Sequence, residues 1–452
     1  MIIYSIIQKS QLEGNHRLDA EYYQPEYLDL EEKLNSLETK TIEEISKSVI
    51  SFGAYSLTSY IEWQESGIPY INVGDIHDGY VDLDNVKYIS EKVDEILKKS
   101  RVTEGQVLLT MAGTIGNAAV AHNFPKRANA NQAIAKITLL NNFSPYYLAA
   151  FLNSKYGFLQ TQREIVSSVQ SNIFLGSIKK FKVPIFNLAE MNKVESLYKG
   201  FFKKLEESKS LYSQAENLLL EELGLKNFRP EDNLSYIVNL SDVESVDRID
   251  AEYFQPIYKN LESRIKNLEY RKLGNIVSIQ KGIEPGSEIY QDKGVPFVRV
   301  SNISKFGIKD NNQQYLSQEN YNRFKDNFEP KAGEILLTKD ATPGIAYFID
   351  SQIEEIISSG ILRLKTKIEI ESEYLTLVIN SIIGQMQAER DTGGSVIIHW
   401  RPEQIKNVLI PILPKPAQQK IAALVQKSHA ARQKAKQLLE QAKQKVEGFI
   451  EK

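Results

Sequence analysis

The stretch RLDAEYYQPEY occupies Arg17–Tyr27, and RIDAEYFQPIY occupies Arg248–Tyr258. Eight of the eleven positions are identical, and Leu18/Ile249 and Tyr23/Phe254 conserve shape. The echo runs well past this motif. GIPYINVGDI from Gly67 matches GVPFVRVSNI from Gly294, and GQVLLTMAGTIGNAAV from Gly105 matches GEILLTKDATPGIAYF from Gly333. YLAAFLNSKYG from Tyr147 matches YLTLVINSIIG from Tyr374, and IKKFKVPIF from Ile178 matches IKNVLIPIL from Ile405. Offsets stay between 227 and 231, close to half of the 452 residues. The sequence therefore reads as two tandem copies of one module, since a period this long marks a duplicated domain and not a solenoid.

Composition sets the outer bounds. Hydrophobic content of 42% and charged content of 25% are those of an ordinary globular protein. The length calls for roughly two to four domains. There is no cysteine, which excludes disulfides, thiolate nucleophiles and cysteine-bound metals. The opening MIIYSIIQKS is too short an apolar run for a signal peptide, and no stretch approaches a membrane span, so a cytoplasmic protein is expected. A net charge of −3 gives no global argument for a nucleic-acid partner; such a reading must rest on local patches.

Each copy reads in four parts. The Arg-x-Asp-Ala-Glu-Tyr motif leads into a short amphipathic helix, EYLDLEEKLNSL or IYKNLESRIKNL. Strands follow in GIPYINV/GVPFVRV and QVLLT/EILLT, then a helix over SPYYLAAFLNSKYGFLQTQ, a loop, and a strand ending at Val183-Pro184-Ile185 or Ile410-Pro411-Ile412. A long helix closes the copy. In it Val194, Tyr198, Phe201, Leu205, Ser208, Tyr212, Ala215 and Leu219 step by four and three alternately. Ile421, Val425, Ser428, Arg432, Ala435, Leu439, Ala442 and Val446 repeat that pattern in register. An apolar repeat of about 3.5 residues is a coiled-coil seam, and a stripe this narrow needs a partner stripe, the nearest being the other copy. Ser208, Ser428 and Arg432 fall in the seam and are expected to weaken it.

No familiar catalytic constellation is present. The five histidines, His16, His77, His122, His399 and His429, are scattered singly, without metal-ligand spacing. His77-Asp78 reads as a surface turn. The sequence contains no phosphate loop, dinucleotide fingerprint or nucleophile elbow. In a duplicated chain with a coil, this favours a recognition scaffold over an enzyme.

The arrangement resembles the specificity (S) subunit of Type I restriction-modification systems, over essentially the whole chain. Each motif alone is weak; their ordered occurrence twice in one chain is specific. The resemblance implies an α/β (α+β) fold with two tandem target recognition domains, each followed by a long helix, the two helices pairing as an antiparallel coiled coil about a pseudo-twofold axis. It implies a non-catalytic subunit that binds double-stranded DNA, each domain reading half of a bipartite asymmetric site. Two methyltransferase (M) subunits would dock on it and supply S-adenosylmethionine. Restriction (R) subunits that use ATP and Mg can join them. No cofactor, metal or membrane contact is expected of this chain itself. Two other readings share the pattern: a specificity chain for a fused methyltransferase-nuclease, and a duplicated protein-binding scaffold that never touches DNA.

The expected boundaries are 1–40 for the first motif and short helix, 41–186 for the first recognition domain and 187–226 for its long helix. The second set is 227–271, 272–413 and 414–452. Bases are read by side chains with paired donors and acceptors, arginine for guanine and asparagine or glutamine for adenine. Candidates are therefore polar loop positions, above all those that differ between the copies while the surrounding frame agrees. Asn72 faces Arg299, Met111 faces Lys339, and Ala112 faces Asp340. REIVSSVQSNIFLG from Arg163 faces RDTGGSVIIHWRPE from Arg390. These comparisons, with the polar loop RANANQA, nominate Asn72, Thr110, Arg127, Asn131, Gln132, Arg163, Gln170 and Asn172 in the first copy. Arg299, Lys339, Arg390, His399 and Arg401 are nominated in the second. Arg163 and Arg390 match between copies, which suits a phosphate contact or a role in the fold. Arg17, Asp19, Arg248 and Asp250, identical in both copies, are expected to serve the scaffold or its partners. Locally, Arg101, Lys126, Arg127 and Lys136 against Glu104 alone suggest a basic patch, and the stretch from Pro414 carries a net charge of +6.

Overall fold

A computed structural model describes the protein apart from residues 1–3, 11, 13–16, 52–59, 85, 166–170, 229–234, 247, 311 and 393–397. It forms two compact units, one of Met1–Lys204 with Gln433–Lys452 and one of Leu205–Arg432.

In the first unit a short turn, Ala20–Tyr23, leads into helix Pro25–Asn35, with proline in the first turn where no backbone donor is needed. Strand Thr39–Thr41 then pairs antiparallel with Lys182–Pro184, which ties the entry of the β-rich module to its exit. Between them lie two four-stranded sheets. One is antiparallel throughout, in the order Ser46–Ile50, Ile134–Leu139, Val107–Thr110, Ala118–Val120. Its Val107–Thr110 strand is buried at every position, which is why QVLLT reads as an apolar run and not as an alternation. The other sheet runs Trp63–Gln64, Lys87–Ile89, Ile68–Ile71, Asn129–Ala130, and its last pair is parallel.

The second unit repeats this plan. Tyr270–Lys272 pairs with Leu409–Pro411, and Val277–Lys281, Ile361–Thr366, Ile335–Thr338 and Ala346–Phe348 form the antiparallel sheet. The other sheet is Gln314–Leu316, Val295–Val298 and Ile356–Ile357. Here, too, the pair that includes Ile356–Ile357 is parallel.

One expected helix is two. SPYYLAAFLNSKYGFLQTQ folds as Pro145–Leu152 and Lys155–Arg163, and the second copy as Ser372–Asn380 and Ile382–Thr392. The break falls on Asn-Ser-x-x-Gly. Asn153 accepts from the Ala118 amide at 2.8 Å and donates to the Ala118 carbonyl at 2.7 Å, so its side chain completes the edge strand as a neighbouring strand would. Asn380 does the same to Ala346, at 2.8 Å in both directions. A β-carbon on Gly157 would stand 2.2 Å from the Phe151 carbonyl oxygen, and one on Gly384 2.1 Å from that of Ile379. Only glycine allows the second helix to fold back this closely.

The long helices run over Leu188–Glu222 and Lys415–Ile450. Every seam position named from the sequence is buried except Arg432, which is partly exposed. In the first unit the Tyr198 hydroxyl donates to the Gly79 carbonyl at 2.8 Å, and Lys443 meets Asp78 at 2.8 Å. The expected surface turn at His77-Asp78 is thus seated on both helices. Gly79, at φ +88°, has no room for a side chain: a β-carbon there would lie 2.8 Å from Leu439. In the second unit the Ser428 hydroxyl donates to the Ser208 carbonyl at 2.7 Å and stands 3.2 Å from the Ser208 hydroxyl. Both seam serines are buried and paired with each other, which removes most of the penalty expected for polar groups in an apolar stripe.

Candidate nucleic-acid interface

The repeated motif forms the same closed cluster in each unit. Arg17 donates through Nε and Nη2 to the two oxygens of Asp19 at 2.6 and 2.5 Å, and its guanidinium lies 4.7 Å from the centre of the Tyr22 ring. Arg163 reaches that ring at 4.2 Å, donates to the Tyr22 carbonyl at 3.1 Å and pairs with Glu31 at 2.8 Å. In the other copy Arg248 grips Asp250 at 2.8 and 2.5 Å and covers Tyr253 at 4.6 Å. Arg390 stands over the Tyr253 ring at 5.3 Å and pairs with Glu262 at 3.1 Å. The forked hydrogen bonds hold Asp19 and Asp250 below the usual carboxylate range. Arg163 and Arg390, for which a phosphate contact or a role in the fold was expected, hold the motif to the fold. Between the two members of each ion pair, the structure turns one side chain out: Leu18 is 87% and Ile249 90% exposed.

Thr110 also moves out of the contact set. It is fully buried, donates to the Thr114 carbonyl at 2.5 Å and accepts from the Asn117 amide at 3.0 Å. Thr338 makes the same pair of bonds to Thr342 and Ile345. The threonine that follows each Leu-Leu holds the glycine turn behind it. The basic patch is corrected as well. Arg101 forks onto buried Asp94 at 3.0 and 2.5 Å, and Arg127 lies 3.6 Å from Glu91 and 3.9 Å from Asp94. Lys136 is buried and donates to the Arg101 carbonyl at 3.0 Å; desolvation lowers its pKa to about 8. The carboxylates that neutralise the patch stand just upstream of the window that suggested it.

The remaining candidates are brought together by backbone bonds. In the first copy the Met111 amide donates to Ala133 at 2.7 Å, Ile173 to Met111 at 3.0 Å, and Asn131 to Ile71 at 2.8 Å; Ala112 bridges to Asn172. In the second copy Lys339 donates to Gly360 at 2.9 Å, Trp400 to Lys339 at 2.7 Å, and Ser358 to Val298 at 2.8 Å; Asp340 bridges to His399. The donors, acceptors and bridge correspond residue by residue. Four segments separate in sequence therefore meet at one edge in each domain. Asn72, Asn131, Gln132 and Asn172 stand on or beside the first edge; Arg299, Lys339, Asp340 and His399 do so at the second. Arg401, exposed, follows the buried Trp400 and starts helix Pro402–Asn407. Gln170 lies outside the described residues.

The two edges differ in chemistry. The Asn72 backbone N–H donates to the Asp75 carboxylate at 2.7 Å, and the Asn131 side-chain oxygen accepts from the Ala133 backbone at 2.8 Å. At the second edge Asp340 accepts from Lys339 at 2.6 Å and meets His399 Nδ1 at 2.8 Å. Burial would raise the Asp340 pKa, but these two partners hold it below the usual value. Arg299 donates through Nη2 to the Asn312 carbonyl at 2.5 Å. Trp400 is core: it is 1% exposed and donates to Asp391 at 3.1 Å. Among the described residues no group of three histidine or acidic side chains could hold a metal, and no helix is long and apolar enough to cross a membrane.

A duplicated α/β module with a matched pair of polar edges defines a recognition scaffold. The family model for the Type I restriction modification DNA specificity domain matches twice, at residues 35–209 and 265–444. The Type I restriction enzyme MjaIX specificity subunit of Methanocaldococcus jannaschii is 22% identical over 413 residues, which cover 86% of each chain. The EcoBI specificity subunit of Escherichia coli is 27% identical over 175 residues, 37% of this chain and 36% of the relative. The crystal structure of a Type I S subunit from M. genitalium aligns over 91% of this chain and 96% of its own, at 14% identity and a TM-score of 0.40. This chain belongs to the Type I restriction-modification DNA specificity family. It is a non-catalytic subunit whose two modules are DNA-binding target recognition domains.

Proposed function

We propose that each domain reads one half of a bipartite, asymmetric site in double-stranded DNA, and that the two long helices pair as an antiparallel coiled coil that sets the gap between the halves. The observation that carries this reading is the edge itself: one backbone frame occurs in both copies, with different side chains at its base-reading positions. Two methyltransferase subunits, bringing S-adenosylmethionine, dock on the repeated elements; ATP- and Mg-dependent restriction subunits add to that complex. Arg17, Asp19, Arg248 and Asp250 serve this assembly by holding a closed motif that presents Leu18 and Ile249 identically in both copies. Two equal partners call for two equal surfaces.

The test is an exchange. Replacing residues 42–182 by the equivalent part of the second copy should give a complex that methylates two like half-sites in inverted orientation, mapped by methylation-sensitive long-read sequencing. A hybrid that still modifies the original asymmetric site would overturn the assignment of readers to these domains.

A further inference from the structure

The two edges share a frame but carry opposite recognition chemistry. The first presents amides, Asn72, Asn131, Gln132 and Asn172, and no cation at any of these positions. An amide offers one donor and one acceptor side by side, which matches the N6 and N7 edge of adenine. The second presents Arg299, with Lys339 and His399 both held against Asp340. A guanidinium offers only donors, and a fork of donors matches the two acceptors O6 and N7 of guanine.

A second observation points to a ligand at both edges. Gln132 Oε1 and Arg299 Nε are buried and have no hydrogen-bond partner. Such groups are uncommon in folded proteins, because each forfeits its bond to water with nothing in return. One is an acceptor beside the amide edge and the other a donor beside the cationic edge. With the side chain turned outward, an adenine amino group would satisfy the first and a guanine carbonyl or N7 the second.

Resting on the DNA-reading function above, we infer that the first domain selects an A·T pair through its amide edge, with Gln132 as a reader. The second domain selects a G·C pair through Arg299. The two domains thus differ in the base class read at this one position, and the difference is set by side chains on a common frame.

The experiment is selection from a random duplex library by the full chain with its methyltransferase partner, at a stated salt concentration. Three variants accompany the native chain: Gln132→Leu, Arg299→Met and Arg299→Lys. The native complex should enrich a site with an obligatory adenine in one half and an obligatory guanine in the other. Gln132→Leu should relax the adenine position about five- to 150-fold and leave the other half unchanged. Arg299→Met should relax the guanine position to a similar degree. Arg299→Lys keeps the charge and loses the fork, so it should retain overall affinity while discrimination falls. In the selected site, 7-deazaguanine at the guanine position should weaken the native complex and leave Arg299→Met indifferent. Enrichment in which Arg299→Met alters an A·T position or no position, or in which Gln132→Leu alters a G·C position or none, overturns this inference while the DNA-reading function stands. Failure of the native complex to enrich any sequence overturns both.

Discussion

Arg163 stands with its guanidinium carbon 4.2 Å from the centre of the Tyr22 ring, across 141 residues of chain. It also bonds the Tyr22 carbonyl and the Glu31 carboxylate, and its side chain is only 10% exposed. Arg163→Met keeps the length of the stem and removes the charge. It should lower stability by about 1–2 kcal/mol, the scale of a desolvated cation–π contact with its ion pair. Denaturant midpoints measure the loss, and base preference in a library selection should not change.

The seam serines make an asymmetric prediction. Ser428 donates to a backbone carbonyl, whereas the Ser208 hydroxyl has the Ser428 hydroxyl beside it. Ser428→Ala removes both interactions and leaves buried oxygen atoms at position 208 with fewer partners. Ser208→Ala removes only one. The first should cost about 1–2 kcal/mol and the second about half of that or less. Equal effects in thermal unfolding would show that the backbone bond carries little.

His429 is partly buried in the second unit, with its shielded Nε2 lacking a partner and its ring 5.7 Å from that of Tyr347. Desolvation lowers its pKa below the ordinary 6.5, against the raising effects of the Lys305 backbone, Asp350 and Glu373 and with the lowering effect of Arg432. A base with a depressed folded pKa binds its proton first in the unfolded chain. Its neutral form therefore supports stability above about pH 6.5, and that support is lost as pH falls from there toward the folded value. His429→Phe should flatten this part of the stability-versus-pH curve. A curve of unchanged slope between pH 5 and 6.5 would assign the dependence elsewhere.

If the long helices set the gap between readers, their length should be readable in the DNA. Four residues inserted next to Ser208 add about 6 Å and slightly more than a full turn. That corresponds to roughly two base pairs, and the four-residue phase slip leaves the seam a stutter. The variant should methylate the same half-sites with a spacer longer by about one or two pairs, while a two-residue insertion should do worse because it turns the seam away. A four-residue variant that keeps the native spacer and full activity would show that these helices do not measure the gap.

The repeat, the strands and the seam were legible because each is written in local order. An offset near 227 residues, the Leu-Leu-Thr runs and the four-three spacing of Val194 to Leu219 need no knowledge of the fold. The edge was legible in part. Comparing the copies picked out Asn72 against Arg299 and Met111 against Lys339, since divergence inside a constant frame is itself a sequence property. What each side chain does there was not legible. Thr110 looks from sequence like a DNA-contacting hydroxyl, Arg163 like a phosphate contact or a fold-holding residue, and Arg101 and Arg127 like a cationic patch. Only the tertiary structure turns Thr110 inward, carries Tyr22 to Arg163 and brings Asp94 to the two arginines. The helix break at Asn153 and Asn380 was hidden for the same reason: each asparagine serves a strand about 35 residues away. Periodicity comes from backbone geometry and is fixed by neighbours in sequence. Charge and hydrogen-bonding capacity are satisfied by whichever partner the completed fold delivers.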